Sequence, residues 1–553
     1  MSSSDIGKFL IFGDSITEFC FDQQPEDSDK LQFALGPALQ NRYRRRLEIL
    51  HRGFSGYTSR EAPKLAKLIF KHDHDNKPES QQIKLAYIFF GTNDACHKGT
   101  NPANNQHVPI EQYIQNMTET IQLFKDRNIP TVIVTPGFHD QKMWDRRCPE
   151  DLKTGDFRHT ETNRQYASAL VDKCKELNVP TLNLWEEMNA HFVKTGEGSF
   201  LTDGIHYNGL GYKIFYDNLI KIISTNFPHL EPMAMPVQFP FRRDIKLESL
   251  TDMNTEVVTD NSTISEFQMS KFLLFGDSIT EYCYDQFPLN SKEVQNAKLS
   301  SNYNPDDPDK SAFQSKPRLT FSLGAKIDND YVRRMQILHR GYAGYNTDQA
   351  VNIARGILAR EHDGLPLQSQ IKLAYVFFGS NDYRMTSSEV GYAEGIPKER
   401  FQSNMEKILD MFHERGIKTI VITPAVHDRD LWDMVDPDDV KTNTFRTNAL
   451  GIEFGDIIKK VAHERDMPVV DLYHIMVNYI KNEMGKELQD VEFGGLGDLL
   501  IDGIHFTDLS YRLMYNNIMD AIKTNWPEWD PENVPYKFPY YADLTAESFA
   551  GWE

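Results

Sequence analysis

The chain has 553 residues, of which 25% are charged and 40% hydrophobic, and its formal net charge is −20. The length exceeds one compact core and calls for two or more domains. The composition fits a soluble globular protein, and the acidity excludes nonspecific nucleic-acid binding.

No stretch is long and apolar enough to span a bilayer, so stable membrane insertion is not expected. The opening Met1-Ser2-Ser3-Ser4-Asp5 lacks a basic region followed by an apolar run, so no secretory signal is expected. The five cysteines (Cys20, Cys96, Cys148, Cys174, Cys283) show no metal spacing and suit a reducing, cytoplasmic setting. Cys20 and Cys283 occupy matching positions and read as buried thiols, with a modulatory role as the alternative. Two glycosylation-like triplets, at Asn116 and Asn261, read as chance without a signal.

In chain order, Lys8 to Phe12 is a short apolar strand ending at Gly13-Asp14-Ser15-Ile16-Thr17-Glu18. A second run, Lys84 to Phe90, ends at Gly91-Thr92-Asn93-Asp94. Ile110 to Arg127 has helical spacing, Thr131 to Val134 is a third strand, and Thr160 to Leu177 is again helical. Thr181 to Leu184 is a fourth strand, and a further helix follows Gly209. Apolar strands alternating with amphipathic helices predict an α/β fold with a parallel sheet covered on both faces. The motifs then lie just beyond strand C-terminal ends, where such sheets place their sites.

The whole series recurs. Gly276-Asp277-Ser278-Ile279-Thr280-Glu281 repeats the serine block, a shift of 276 − 13 = 263. Arg52-Gly53-Phe54-Ser55-Gly56-Tyr57 matches Arg340-Gly341-Tyr342-Ala343-Gly344-Tyr345, a shift of 340 − 52 = 288. Gly379-Ser380-Asn381-Asp382 repeats the Gly-x-Asn-Asp block at the same shift. Asp203-Gly204-Ile205-His206 recurs as Asp502-Gly503-Ile504-His505, a shift of 502 − 203 = 299. Even Phe239-Pro240-Phe241 matches Phe538-Pro539-Tyr540. These shifts predict a first domain over 1–250, a linker over 251–268 and a second domain over 269–553. They also place insertions in the second copy near 287–323 and 483–500.

An ester-cleaving serine needs a base, an orienter for that base and donors for an oxyanion. Ser15 stands at a strand-to-helix turn, where it could equally be a helix cap. Asp203 and His206 are spaced so that the carboxylate reaches Nδ1 and leaves Nε2 to face the serine. Asn93 can offer a side-chain N–H, and Gly56 a backbone N–H with no side chain in the way. His139-Asp140 and His427-Asp428 form a competing pair, but adjacent side chains diverge, so they read as loop or pocket-wall residues. His51 and His339 read as structural, and Arg42, Arg44, Arg45 and Arg46 as a solvated face.

With these blocks in hand, the chain resembles the SGNH (GDSL-type) hydrolases over about Lys8 to Leu250 and Ser270 to Ser548. The fuller strings, such as Phe12-Gly13-Asp14-Ser15-Ile16-Thr17-Glu18, resemble its isoamyl acetate-hydrolysing esterase branch. Ile16 and Ile279 stand where many members have leucine. The resemblance implies two tandem three-layer α/β/α, flavodoxin-like domains that hydrolyse esters without metal or cofactor. It implies Ser15 as nucleophile, His206 as base and Asp203 as orienter, with Ser15, Gly56 and Asn93 forming the oxyanion hole. The second set is Ser278, His505, Asp502, Gly344 and Asn381.

The expected partner is a small-molecule ester, small or medium in size and acetate-like, cleaved through an acyl-serine. A thioesterase, a lysophospholipase or an alcohol acyltransferase would use the same machinery. A binding scaffold with one inactive domain is the competitor from another class. Around the second site, Tyr383 is expected to narrow the pocket and Arg384 to attract an anionic group, while the insertions form a lid or an altered acyl pocket.

Overall fold

The structure is a computed structural model that describes residues 6–25, 30–101, 104–239, 268–288, 318–386 and 395–544. The chain divides into two compact units, and neither is continuous in sequence. One joins the first copy through Val237 to the C-terminal segment from Tyr536. The other joins Met269–Pro535 to Gln238 and Phe239 of the first copy. The expected linker and most of the first insertion lie outside the described residues.

The first unit is built on five parallel strands: β1 (Gly7–Gly13), β2 (Leu47–Gly53), β3 (Ile83–Phe89), β4 (Thr131–Val134) and β5 (Thr181–Leu182). Their order is β2-β1-β3-β4-β5. Phe9, Leu10, Ile11 and Phe12 are all fully buried, as a strand covered on both faces requires. Helix Ile110–Lys125 packs between Ala62–Asp73 and Thr160–Leu177, while Gly209–Asn226 packs on Leu35–Arg42 and Leu184–Thr195. The result is three layers, α/β/α.

The chain leaves β1 for β2 on one side and returns to β3 on the other. The switch therefore opens at the C-terminal end of β1, where Gly13 pairs with both Gly53 and Phe89.

Two strand expectations needed revision. β2 went unpredicted because Glu48, His51 and Arg52 interrupt its apolar run. Glu48 and Arg52 are nevertheless buried, and Arg52 is held by Asp73 at 3.2 Å. The fourth strand stops at Leu182 because Asn183 caps a helix that begins at Leu184. The arginine run is a correction too: Arg42, Arg44, Arg45 and Arg46 are buried rather than solvated. Arg42 pairs with Glu231 at 2.7 Å, and Arg46 donates to the Pro232 carbonyl at 2.6 Å. Together they fasten the segment that follows the last helix of the copy.

The second unit repeats the plan. Its strands are β6 (Lys271–Gly276), β7 (Gln336–Gly341), β8 (Ile371–Phe377), β10 (Lys418–Ile422) and β12 (Val469–Val470). They lie in the order β7-β6-β8-β10-β12, all parallel. A small antiparallel pair is added by β9 (Met385–Thr386) and β11 (Thr444–Phe445).

The insertion near 483–500 is an ordered segment. It buries Leu488, Val491, Leu496, Leu499 and Leu500. The Asp428 carboxylate accepts the backbone N–H groups of Gly494 at 2.7 Å and Leu496 at 2.9 Å. It is thus fastened to the wall of the second unit before the chain reaches Asp502.

The tail segments complete the other copy's unit. Phe538 sits edge-on to Phe54 at 5.1 Å, and the Tyr57 hydroxyl donates to the Pro539 carbonyl at 3.0 Å. In the second unit Phe239 makes the matching edge contact with Tyr342 at 5.3 Å.

Candidate active site

Ser15 opens a single helical turn, Ser15–Glu18, directly after β1. Asp14 caps that turn by accepting the Ile16 N–H at 3.0 Å. The cap therefore belongs to Asp14, and the Ser15 hydroxyl is left to face elsewhere. It faces His206, whose Nε2 lies 2.9 Å from Ser15 Oγ. Nδ1 of the same ring lies 2.7 Å from Asp203 Oδ2. Asp203 Oδ1 accepts the backbone N–H groups of Ile205 and His206, both at 2.9 Å, which sets the carboxylate before it meets the ring.

The second unit has the same relay. His505 Nε2 is 2.8 Å from Ser278 Oγ, and Nδ1 is 2.6 Å from Asp502 Oδ2. Phe19 stands edge-on to His206 at 5.0 Å, and Tyr282 to His505 at 5.2 Å, which confines each ring. Burial raises the Asp203 carboxyl, but the hydrogen bond and charge of His206 outweigh it and hold the group well below the usual range. Asp502 settles at about 2 by the same opposition, with His505 as its partner. Each carboxylate therefore stays ionised beside its imidazole and fixes the tautomer whose Nε2 can accept a proton.

The other blocks converge on the serine turn through backbone bonds. Phe54 N–H donates to the Gly13 carbonyl at 2.9 Å, and Asp14 N–H to the Phe89 carbonyl at 3.1 Å. Asn93 Nδ2 donates to the Tyr57 carbonyl at 2.9 Å, and Asn381 Nδ2 to Tyr345 at 3.0 Å. This brings Asn93 to the loop that carries Gly56. Gly56 has φ +79°, a left-handed backbone, and the ring of Tyr541 occupies the place of its missing Cβ. The buried Glu18 carboxylate accepts the neighbouring Ser55 N–H, and Glu281 accepts that of Ala343. The structure thus joins Asp203, His206 and Ser15, and Asp502, His505 and Ser278, into two like relays, and hydrogen bonds tie the loops carrying Gly56 with Asn93, and Gly344 with Asn381, to the serine turns.

The competing histidines touch the Asp-x-x-His loops but stand outside both relays. His427 Nδ1 bonds the Gly503 carbonyl at 2.8 Å, and its N–H is taken up by Asn448 at 2.8 Å. Burial pushes His139 down to about 4 and His427 to about 3, so both are neutral wall residues near neutral pH. Asp140 and Asp428 instead cap the helices Gln141–Arg147 and Arg429–Val435. His51 is half-buried behind the serine turn, with Nε2 2.8 Å from the Thr17 carbonyl, and desolvation lowers it to about 4.

Two expectations about the second pocket are corrected. Tyr383 is buried in the core, 6.0 Å from the Phe454 ring, and does not narrow the site. Arg384 is balanced by Asp439, with Asp436 3.9 Å away, so its charge is already committed.

Sequence reading missed a second tier of groups. Buried Arg158 and Arg446 touch the site asparagines, and they keep the 288-residue shift as Phe157-Arg158 and Phe445-Arg446. The repeat itself was the signal that could have found them. Asp14, Asp94, Asp277 and Asp382 are fully buried carboxyls. Burial pushes Asp14 up to about 8 and the other three to about 7.

Comparison with known proteins agrees with this layout. The family model for GDSL-like Lipase/Acylhydrolase matches residues 9–219, and a second model of that description matches 274–513. The chain is 40% identical over 244 residues to the isoamyl acetate-hydrolyzing esterase of Saccharomyces cerevisiae, covering 44% of this chain and 96% of that protein. It is 30% identical over 243 residues to the human isoamyl acetate-hydrolyzing esterase 1 homolog, covering 43% and 88%. It is also 30% identical over 239 residues to the rice GDSL esterase/lipase WDL1, covering 42% and 84%. The chain belongs to the GDSL-like lipase/acylhydrolase family, twice over in one polypeptide, and is a carboxylic ester hydrolase.

Proposed function

We propose that the protein is a cytosolic serine esterase that hydrolyses small or medium, acetate-type esters at two active sites, without metal or cofactor. The observation that carries this reading is the pair of complete Asp–His–Ser relays, one in each unit.

In the first unit Ser15 Oγ attacks the ester carbonyl while His206 Nε2 takes its proton. Asp203 holds the ring and stabilises the imidazolium. Negative charge gathers on the carbonyl oxygen, facing the amides of Ser15 and Gly56 and the side chain of Asn93. Collapse expels the alcohol, which takes the proton from His206 and leaves an acetyl-type group on Ser15. A water molecule, deprotonated by His206, then attacks this acyl-serine and releases the acid. Ser278, His505, Asp502, Gly344 and Asn381 carry the same steps in the second unit. The 40% identity to a yeast enzyme named for isoamyl acetate hydrolysis supports the acetate-type substrate.

The test is Ser15→Ala and Ser278→Ala, singly and together, on alkyl esters of rising acyl length. Each single variant is expected to retain activity and the double variant to lose it. A fluorophosphonate probe should label each remaining serine. Full activity in the double variant would overturn the reading.

A further inference from the structure

Building on that reading, we propose that Arg158 and Arg446 are positioning residues that set the oxyanion-hole asparagine of each unit. Neither belongs to the blocks that define the two sites. Both are almost fully buried.

In the first unit Arg158 Nη1 donates to the Thr92 carbonyl at 2.8 Å, and Nη2 reaches Asn93 Oδ1 at 3.5 Å. In the second, Arg446 Nε donates to the Ser380 carbonyl at 2.8 Å, and Nη2 reaches Asn381 Oδ1 at 3.3 Å. A tryptophan covers the face of each guanidinium: Trp144 at 5.8 Å and Trp432 at 5.2 Å. Two units with independently varied surroundings retain the same guanidinium–asparagine contact.

The contact decides which way the amide points. Asn93 Nδ2 has two hydrogens, and one goes to the Tyr57 carbonyl. With Oδ1 turned to a cation, the second hydrogen is left for the oxyanion. A flipped amide would set its oxygen against the Tyr57 carbonyl and its NH2 against the guanidinium, two repulsive contacts. Arginine suits this task because it stays charged and offers donors in a rigid plane. Its charge also polarises the amide, so the N–H that meets the developing anion is a stronger donor.

In the first unit the reach extends further. Arg158 Nη2 donates to Gln106 Oε1 at 2.6 Å, and Gln106 Nε2 donates to the Gly56 carbonyl at 3.0 Å. One guanidinium thereby sets Asn93 directly and the Gly56 loop through one intermediary.

The test uses the full chain carrying Ser278→Ala, so that only the first site is read. Arg158→Met is expected to lower kcat by about 10- to 100-fold, within the loss seen when one oxyanion donor is removed, with KM within about twofold. Arg158→Lys keeps the charge without the fork and should recover only part. The deciding measurement is the cycle with Asn93→Ala. If Arg158 acts chiefly through Asn93, adding Arg158→Met to Asn93→Ala costs much less than Arg158→Met alone, leaving only the share carried by Gln106 and the Gly56 loop. If the two losses multiply, the inference is overturned while the esterase reading stands. If Asn93→Ala leaves kcat unchanged, the inference and the oxyanion role of Asn93 are overturned, while the serine relay stands. Should Arg158→Met fail to fold, the same cycle run with Arg158→Lys decides between these outcomes.

Discussion

The most demanding test of the relay is Asp203→Asn, made in a chain that also carries Ser278→Ala. Asparagine has the same shape but two distinct ends. Asp203 Oδ1 now accepts two backbone N–H groups, from Ile205 and His206, while Oδ2 faces the imidazole. If the new amide turned its NH2 toward the backbone, two buried N–H donors would face a third donor. Each unsatisfied group costs about 1–3 kcal/mol, so this orientation is disfavoured by about 2–6 kcal/mol. The carbonyl end therefore stays on the backbone and the NH2 faces Nδ1. An Nδ1 that must accept puts the ring proton on Nε2, and Nε2 can no longer take the proton of Ser15. A wrong tautomer costs a triad about 10⁴ in kcat, or about 5.5 kcal/mol. Fold stability should change little, because the backbone bonds survive. The assay is kcat on a chromogenic acetate ester, with thermal melting as the control for folding. A variant that keeps kcat within tenfold of its parent, with an unchanged melt, would refute the tautomer argument.

Three further outcomes follow from the same geometry. Gly56→Ala should cut kcat/KM at the first site at least about tenfold, because alanine resists a φ of +79° and its Cβ would meet the Tyr541 ring; steady-state rates in the Ser278→Ala chain check it. Asp14→Asn should keep the cap on Ile16 while removing a titration. The folded Asp14 carboxyl is raised by burial to about 8 from 3.8, so its contribution is full below 3.8 and is lost as pH rises through about 8. Melts at pH 5, 7 and 9 should therefore show the variant gaining on the parent as pH rises, and parallel curves would contradict this. Arg42→Met leaves Glu231 half-buried without its 2.7 Å partner and should cost about 2 kcal/mol, or about 4–8 °C in Tm. Its kcat per folded molecule should not move, because the pair lies away from both relays.

Much of this site is legible in the sequence, for a physical reason. The strand-to-serine turn, the Gly-x-Asn-Asp loop and the Asp-x-x-His loop each pack their chemistry into three or four consecutive residues. Local spacing sufficed for Asp203 and His206, and repetition removed the ambiguity of a lone Ser15. Strand β2 stayed hidden because its buried Glu48 and Arg52 imitate a surface segment until a partner such as Asp73 is seen. Arg158 stayed hidden because a cation in an irregular loop has no periodicity; only Asn93, 65 positions away, gives it meaning. Tyr383 misled for the opposite reason, since nearness in sequence to Asn381 says nothing of which way a side chain turns. The place of Phe538 against Phe54 depends on contacts almost five hundred residues apart, which no local pattern encodes.

The shared tails change what a gene truncation does. A stop codon after position 535 would spare the relay of the copy being translated at that moment. It would instead remove Phe538, Pro539 and Tyr541 from the unit encoded first, taking away the ring that covers Gly56. Translation order and structural completion therefore run in opposite senses. The half made first stays unfinished until Tyr541 has been added, and a cut in the coding sequence between the repeats leaves it without the segment that covers Gly56.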